Sequence, residues 1–337
     1  MQEAKFYKKS DDQTVACELC HQACLIKNNS VGVCRVRKNI NGKLFSLVYG
    51  YPVALNVDPI EKKPLFHFQP GSLSYSIGTL GCNFKCANCQ NWDISQAIPL
   101  TPFIKGENLI EPEKIVSDAL INDCSSISYT YNEPTVFAEY ALEIMKLARE
   151  NNLKNVWVTN GYMGDSCLKT ILPYLDAINI DLKSFDENFY LKNCRAKLKP
   201  VLKNLIAIKK SGAHMEITTL IIPGLSDDRE MLKSLAEFIV NELSTDVPWH
   251  ISRFSPAISW KLKKTPPTSE EKIFEVCDIG KNAGLKYVYA ENIPGDEGEN
   301  TYCPACHELA ISRFGYEITR LDNHGRCAYC DKNLDIF

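Results

Sequence analysis

Long apolar runs are missing from this 337-residue chain: nothing approaches the roughly 20 apolar residues that a membrane-spanning helix needs. The N-terminal stretch Met1-Gln2-Glu3-Ala4-Lys5-Phe6-Tyr7-Lys8-Lys9 lacks the apolar core of a secretory signal, so a cytoplasmic location is the expectation. Charge of one sign is not in excess either. The formal net charge is -3, which leaves no global field to draw nucleic acid or an acidic membrane surface. No Gly-x-Gly-x-x-Gly follows any strand-like run, which argues against a dinucleotide-dependent dehydrogenase. Internal repeats and low-complexity tracts are absent as well.

Cysteine is what the chain has in abundance. Of fifteen, eleven fall into three tight groups. A secreted disulfide scaffold would be short and exported, so closely spaced thiols in a reducing compartment read as metal ligands. The scattered Cys124, Cys167, Cys194 and Cys277 are each expected to be small buried apolar residues.

Along the chain, a cysteine-bearing N-terminal segment (1–70) carries the turn signals Asn41-Gly42 and Pro70-Gly71. From residue 71 to 295, β-rich runs at 72–79, 126–131, 156–159, 177–181, 215–222 and 250–254 alternate with helical patterns. The helical patterns cover 112–122, 136–151, 166–174, 199–211, 228–243 and 269–283, with Asp228 and Ser269 as N-caps of the last two. A further strand is possible at 286–290. Strand and helix in regular turn predict an α/β fold, a partial (β/α)6 TIM-type barrel with chemistry at the strand C-termini. Residues 296–337 form a second cysteine-rich segment, so metal-binding segments flank the barrel on both sides.

The central group, Gly81-Cys82-Asn83-Phe84-Lys85-Cys86-Ala87-Asn88-Cys89-Gln90-Asn91-Trp92, has C-x3-C-x2-C spacing on the loop after the first barrel strand. Cys82, Cys86 and Cys89 can hold three irons of a [4Fe-4S] cube and leave the fourth open to a small molecule. A structural zinc would want a fourth ligand, and none lies close in sequence. The C-terminal pairs Cys303/Cys306 and Cys327/Cys330 are separated by twenty residues and match a four-thiolate zinc site. Cys17, Cys20, Cys24 and Cys34 suit zinc or a second iron–sulfur cluster, since both accept four thiolates. Structural zinc is the preferred expectation there, with an auxiliary cluster for electron delivery as the alternative.

With that triplet in place, the sequence resembles the radical S-adenosylmethionine (SAM) superfamily, and within it the branch of glycyl-radical-enzyme activases such as pyruvate formate-lyase activating enzyme. Over its whole length it looks most like the radical SAM member of the AmmeMemoRadiSam system. Cys17-Glu18-Leu19-Cys20-His21, Glu61-Lys62-Lys63-Pro64-Leu65-Phe66-His67-Phe68 and Cys89-Gln90-Asn91-Trp92 carry that likeness. The resemblance implies a [4Fe-4S] cluster and SAM, with reductive cleavage to a 5′-deoxyadenosyl radical that abstracts hydrogen from a substrate. It also implies SAM contacts at Asn132 and Glu133, Thr159 and Asn160, and Asp181 and Lys183. Among these, Glu133 would meet the SAM ammonium and Lys183 its carboxylate. Pro223-Gly224-Leu225-Ser226-Asp227 fits the family as a loop. Asn88 stands where the superfamily commonly has an aromatic residue, and Ser255 where a His is expected.

The resemblance further implies an electron donor such as flavodoxin or ferredoxin, and Memo-like and Amme-type proteins as partners. The substrate, whether a glycine in a partner protein or a small molecule, is not written in these residues, and no hydrogen-transferring residue is singled out. A non-catalytic zinc scaffold or nucleic-acid module would explain the terminal groups alone. It would not explain a triplet followed by Glu133, Thr159 and Asp181 at successive strand ends.

Overall fold

The computed structural model describes residues 1–10, 12–96, 109–293, 295 and 297–337; the boundary expected at residue 296 falls outside them. Its centre is one eight-stranded sheet whose spatial order follows the chain. The strands are β1 (Ala54–Pro59), β2 (Leu73–Gly78), β3 (Ser126–Tyr129), β4 (Lys154–Thr159), β5 (Ala177–Asp181), β6 (His214–Ile221), β7 (Trp249–Arg253) and β8 (Val288–Glu291). From β2 onward every pairing is parallel, as in Trp157↔Ile178 and Thr218↔His250. The crossovers carry α1 (Pro112–Ile121), α2 (Ala138–Glu150), α3 (Asp165–Ile171), α4 (Leu198–Ser211), α5 (Arg229–Phe238) and α6 (Glu270–Ala283). The possible strand at the end of the run is real, and it pairs with β7. The sequence reading did not contain β1, which lies in the N-terminal segment and pairs antiparallel to β2.

Period-two alternation divides the strands between two environments. Ile178, Ile180, Ile217 and Ile251 join the main core beneath the helices. Ala177 and Val156 face the other way, packing on Ile60, Leu65 and Phe68 of the segment that fills the lower barrel. Both expected caps form: Asp228 accepts from Met231 N at 2.8 Å, and Ser269 from Lys272 N at 3.3 Å. Asn41-Gly42 closes a hairpin between Arg37–Ile40 and Lys43–Ser46, both turn residues at positive φ.

The two flanking segments are built into the barrel. Buried Glu139 on α2 pairs with buried Arg37 and accepts from Lys5 N at 2.9 Å, which ties the N-terminal sheets to the helix layer. At the lower end, Phe66 N and His67 N donate to the Glu216 carboxylate at 3.0 and 2.8 Å. Asn179 Nδ2 donates to Pro64 O at 2.7 Å. The C-terminal segment covers this plug, with Phe337 N on His67 O at 2.8 Å and Arg313 Nη2 on Phe66 O at 2.7 Å. Among the described residues no helix is long and apolar enough to cross a membrane.

Candidate active site

The cysteine loop leaves β2 through Gly81, whose φ of +92° favours glycine; a Cβ there would stand 2.8 Å from Cys34 O and 2.7 Å from Val36 Cγ1. Two other segments then grip the loop. Lys85 N donates to Cys194 O (2.8 Å) and Ala87 N to Asn193 O (3.1 Å), while Lys261 N and Trp260 N donate to Ala87 O and Cys89 O at 2.8 and 3.1 Å. Asn88 Oδ1 accepts from Asn193 Nδ2 at 2.8 Å, so here the residue before the third cysteine acts as a loop fastener. Phe84 is buried against the edge of Tyr162, ring centroids 5.1 Å apart.

Four of the six expected SAM contacts form one network beneath this loop. Asn132 Nδ2 donates to Gly81 O at 2.7 Å, and its Oδ1 accepts from Thr79 N at 3.3 Å. Asn160 Nδ2 donates to Asn83 Oδ1 at 2.7 Å. Glu133, 1% exposed, receives Thr135 N at 3.1 Å, Thr135 Oγ1 at 2.5 Å, Thr159 Oγ1 at 2.7 Å and Asn160 N at 2.8 Å. Its carboxylate therefore caps the turn after β3 and joins it to the end of β4. The sequence reading assigned that carboxylate an ammonium ligand; the structure gives it four donors from its own chain. Burial raises its pKa, and those donors work against the rise.

Asp181 and Lys183 sit differently. They pair at 3.0 Å across the end of β5, with the Asp181 side chain 40% exposed. Burial opposes the charge on Lys183, but Asp181 and the sulfurs of Cys86 and Cys194 outweigh it and hold the pKa well above its ordinary value. A fixed cation thus stands beside the triplet. Burial pushes the Cys82 thiol well up, with Glu133 adding, and pushes Cys89 up to about 11. Metal-free thiols of this kind are protonated near neutrality, so ligation must displace protons.

Among the described residues, only the C-terminal quartet brings three or more ligand atoms all within 4.8 Å of one another. Cys303 and Cys330 lie 3.6 Å apart, and Cys306 and Cys327 3.5 Å, about the edge of a tetrahedron with 2.3 Å metal–sulfur bonds. The central triplet is wider than that, which fits thiolates spread over the corners of an iron–sulfur cube rather than around one ion. Three thiols on one loop, with Lys183 to offset anionic charge, are a donor set that such a cluster fits. The N-terminal four, Cys17, Cys20, Cys24 and Cys34, share the walls of one enclosed pocket.

One expectation needs correcting. Cys194 is buried, as are Cys124, Cys167 and Cys277, but it is no bland core residue. Its thiol shares a hydrogen bond with Cys86, which raises the pKa of Cys86 and lowers that of Cys194. A fourth cysteine thus touches the triplet through space. No spacing rule would have found it, because a short π-helical turn (Tyr190–Cys194) on the far side of β5 delivers it.

A sequence profile described as the Radical SAM superfamily matches residues 76–239, from β2 into the turn after α5. An uncharacterized protein of Methanocaldococcus jannaschii is 45% identical over 340 residues, spanning 100% of this chain and 99% of the relative. A second protein of that organism, named provisionally as a glycyl-radical enzyme activating enzyme, is 30% identical over 230 residues, 62% of this chain and 76% of its own length. The chain belongs to the radical SAM superfamily. It is an enzyme of that type, on the activase-like branch. Pyruvate formate-lyase-activating enzyme of Clostridium pasteurianum is 24% identical over 57% of this chain and 83% of its own. In fold, Streptococcus suis SuiB bound to precursor peptide SuiA superposes with a TM-score of 0.51 at 15% identity, over 69% of this chain and 51% of SuiB.

Proposed function

We propose that the Cys82–Cys86–Cys89 loop holds a [4Fe-4S] cluster with one open iron, and that the enzyme uses it to cleave SAM and take a hydrogen atom from a glycine of a partner protein. When bound, cluster and SAM together supply one-electron cleavage of the sulfonium and a 5′-deoxyadenosyl radical. The chain's own residues supply position. Asn132, Glu133, Thr159 and Asn160 brace the cysteine loop and fix the backbone around the site. Lys183 offers a cation to the SAM carboxylate, and Asp181, the more exposed of the pair, offers an acceptor to a ribose hydroxyl. The loop at 256–262 holds the cysteine loop through Trp260 N and Lys261 N, and the plug at 60–71 fills the barrel beneath.

The observation that carries this reading is the convergence of the triplet, after β2, with Asp181 and Lys183, at the end of β5, on the C-terminal side of the parallel strands. The activase relatives support glycine as the target class, and a one-electron donor of the flavodoxin or ferredoxin kind as reductant. Memo-like and Amme-type proteins are the partners this reading would test first. The tetrahedral C-terminal quartet suits zinc as a staple for a segment too small to hold its own core. Protein reconstituted anaerobically with iron and sulfide, then given SAM and dithionite, is expected to release 5′-deoxyadenosine, and Cys86→Ala to release none. Full iron loading without cleavage would refute the reading.

A further inference from the structure

We propose that the outer side of the Cys82–Cys86–Cys89 loop is the docking face for an acidic one-electron carrier protein, and that the substrate is met on the other side, within the barrel. The proposal rests on the function argued above and adds the place where the electron enters.

Charge marks the face. The chain as a whole is slightly acidic, at a formal -3. Yet no Asp or Glu occurs in 19–57, 80–92, 188–215 or 254–269, the four stretches that meet at the cysteine loop. Besides the backbone bonds from 193–194 and 260–261, Gln22 Nε2 joins them by donating to both Asn83 O and Arg195 O at 2.9 Å. After β5, Lys192, Arg195, Lys197 and Lys199 are exposed, and after β7 so are Lys261, Lys263 and Lys264. None of these side chains pairs with a carboxylate among the described residues. The acids nearest in sequence serve the backbone instead: Asp186 receives Asn188 N and Glu187 receives Leu198 N, both at 2.9 Å. Lys85, on the loop itself, is half-buried. Burial pushes its pKa down, and Arg35 and Lys261 add to the fall, so cations from three elements crowd one another at the loop. Unpaired cations gathered in this way raise the local potential and draw in an anionic partner.

The same stretches also expose apolar groups. Leu191 and Ile258 are 43% and 53% exposed, and half-buried Trp260 carries Lys261 Nζ at 3.8 Å from its ring centroid. Apolar side chains among cations are the makings of a protein interface, in which the former hold and the latter steer. A phosphodiester backbone would engage the cations and leave Leu191 and Ile258 unpacked. A folded acidic protein engages both.

Placement favours an electron carrier over the substrate. Asp181 lies on the face of β5 that carries Asn179 and Ala177, and Ala177 packs on the plug. The SAM contact proposed for Asp181 therefore faces the barrel interior. On the outer side, only the loop itself, with Ala87 and Asn88 half-buried, separates a docked protein from the three sulfurs. Each turnover takes one electron from the carrier, which leaves oxidised by one, and that electron is consumed in breaking one sulfur–carbon bond of SAM.

The test uses full-length, anaerobically reconstituted protein in which Lys192→Glu, Lys197→Glu, Lys263→Glu and Lys264→Glu are combined. Binding of oxidised flavodoxin, measured by isothermal titration calorimetry, is expected to weaken at least about tenfold relative to wild type. Raising the salt from about 0.05 to about 0.5 M should weaken wild-type binding and close most of that gap, because screening removes the attraction. Release of 5′-deoxyadenosine driven by dithionite should not change, while KM for reduced flavodoxin rises about tenfold and kcat holds. Unchanged flavodoxin binding overturns the proposal. Equal losses with both reductants also overturn it, since they assign the face to the fold or the substrate. A labelled oligonucleotide that binds wild type more tightly than flavodoxin does, and is lost in the same variant, overturns it in favour of nucleic acid. Failure of the central reading looks different, because wild type then releases no 5′-deoxyadenosine even with dithionite.

Discussion

Cys194 decides, at the scale of single residues, whether the cluster proposed for the central loop would have an open iron. Its thiol touches Cys86 and the field of Lys183, so a fourth ligand is within reach of the loop. If three cysteines suffice, Cys194→Ala keeps its iron and its SAM cleavage and loses only about 1 kcal/mol of packing and hydrogen bonding. Iron analysis and 5′-deoxyadenosine yield check this, and loss of the cluster in Cys194→Ala would make Cys194 a ligand. The cysteine groups and the polar strand ends were legible in the sequence because both are local patterns. Residue roles were less so. Asn132, Glu133, Thr159 and Asn160 end strands in the same way whether their side chains meet a ligand or the neighbouring loop, and only the through-space partners Gly81, Asn83 and Thr135 tell the two apart.

Among elements, the cysteine loop depends on the N-terminal segment that lies beneath it. Gly81→Ala would force a side chain into Cys34 O at a φ of +92°, and strain of this kind costs about 1–3 kcal/mol. We expect a lower melting temperature, measured by circular dichroism, and less iron on the central loop; unaltered loading would contradict the coupling. Strands and helices matched their periodicity closely, but β1 and the plug did not announce themselves. Glu61-Lys62-Lys63-Pro64-Leu65-Phe66-His67-Phe68 reads as a family signature, and its task, filling the lower barrel against Glu216, needs the closed sheet to be seen.

The same region makes a pH prediction. Burial opposes a charge on His250, yet Glu291 and Glu216, both 2.7 Å away, outweigh it and push the pKa up to about 9. A folded value above the unfolded one near 6.5 means that this contribution is complete below about pH 6.5 and lost as pH rises through about 9. Lys63, held at about 8 by burial against its Asp58 partner, titrates in an overlapping range. The comparison must therefore be a difference: the melting temperature gap between wild type and His250→Gln should narrow from pH 6.5 to 9.5. A constant gap would show that His250 is not charged there.

At the scale of the whole molecule, three cysteine groups are spaced for different tasks around one barrel. The C-terminal four are drawn together as around a single ion, and their segment covers the barrel floor through Phe337 and Arg313. The N-terminal four stand wider apart and border the catalytic loop. The central three lie at the strand ends beside Lys183. Sequence spacing could count ligands in each group but could not measure the distances that separate one ion from a cube. The central claim is that Cys82, Cys86 and Cys89 leave one iron free for SAM. Its most direct test is the electron paramagnetic resonance (EPR) spectrum of reduced, reconstituted protein, recorded before and after SAM is added. The account predicts that SAM alters the signal and that adding Cys86→Ala removes it; a signal indifferent to SAM would contradict it.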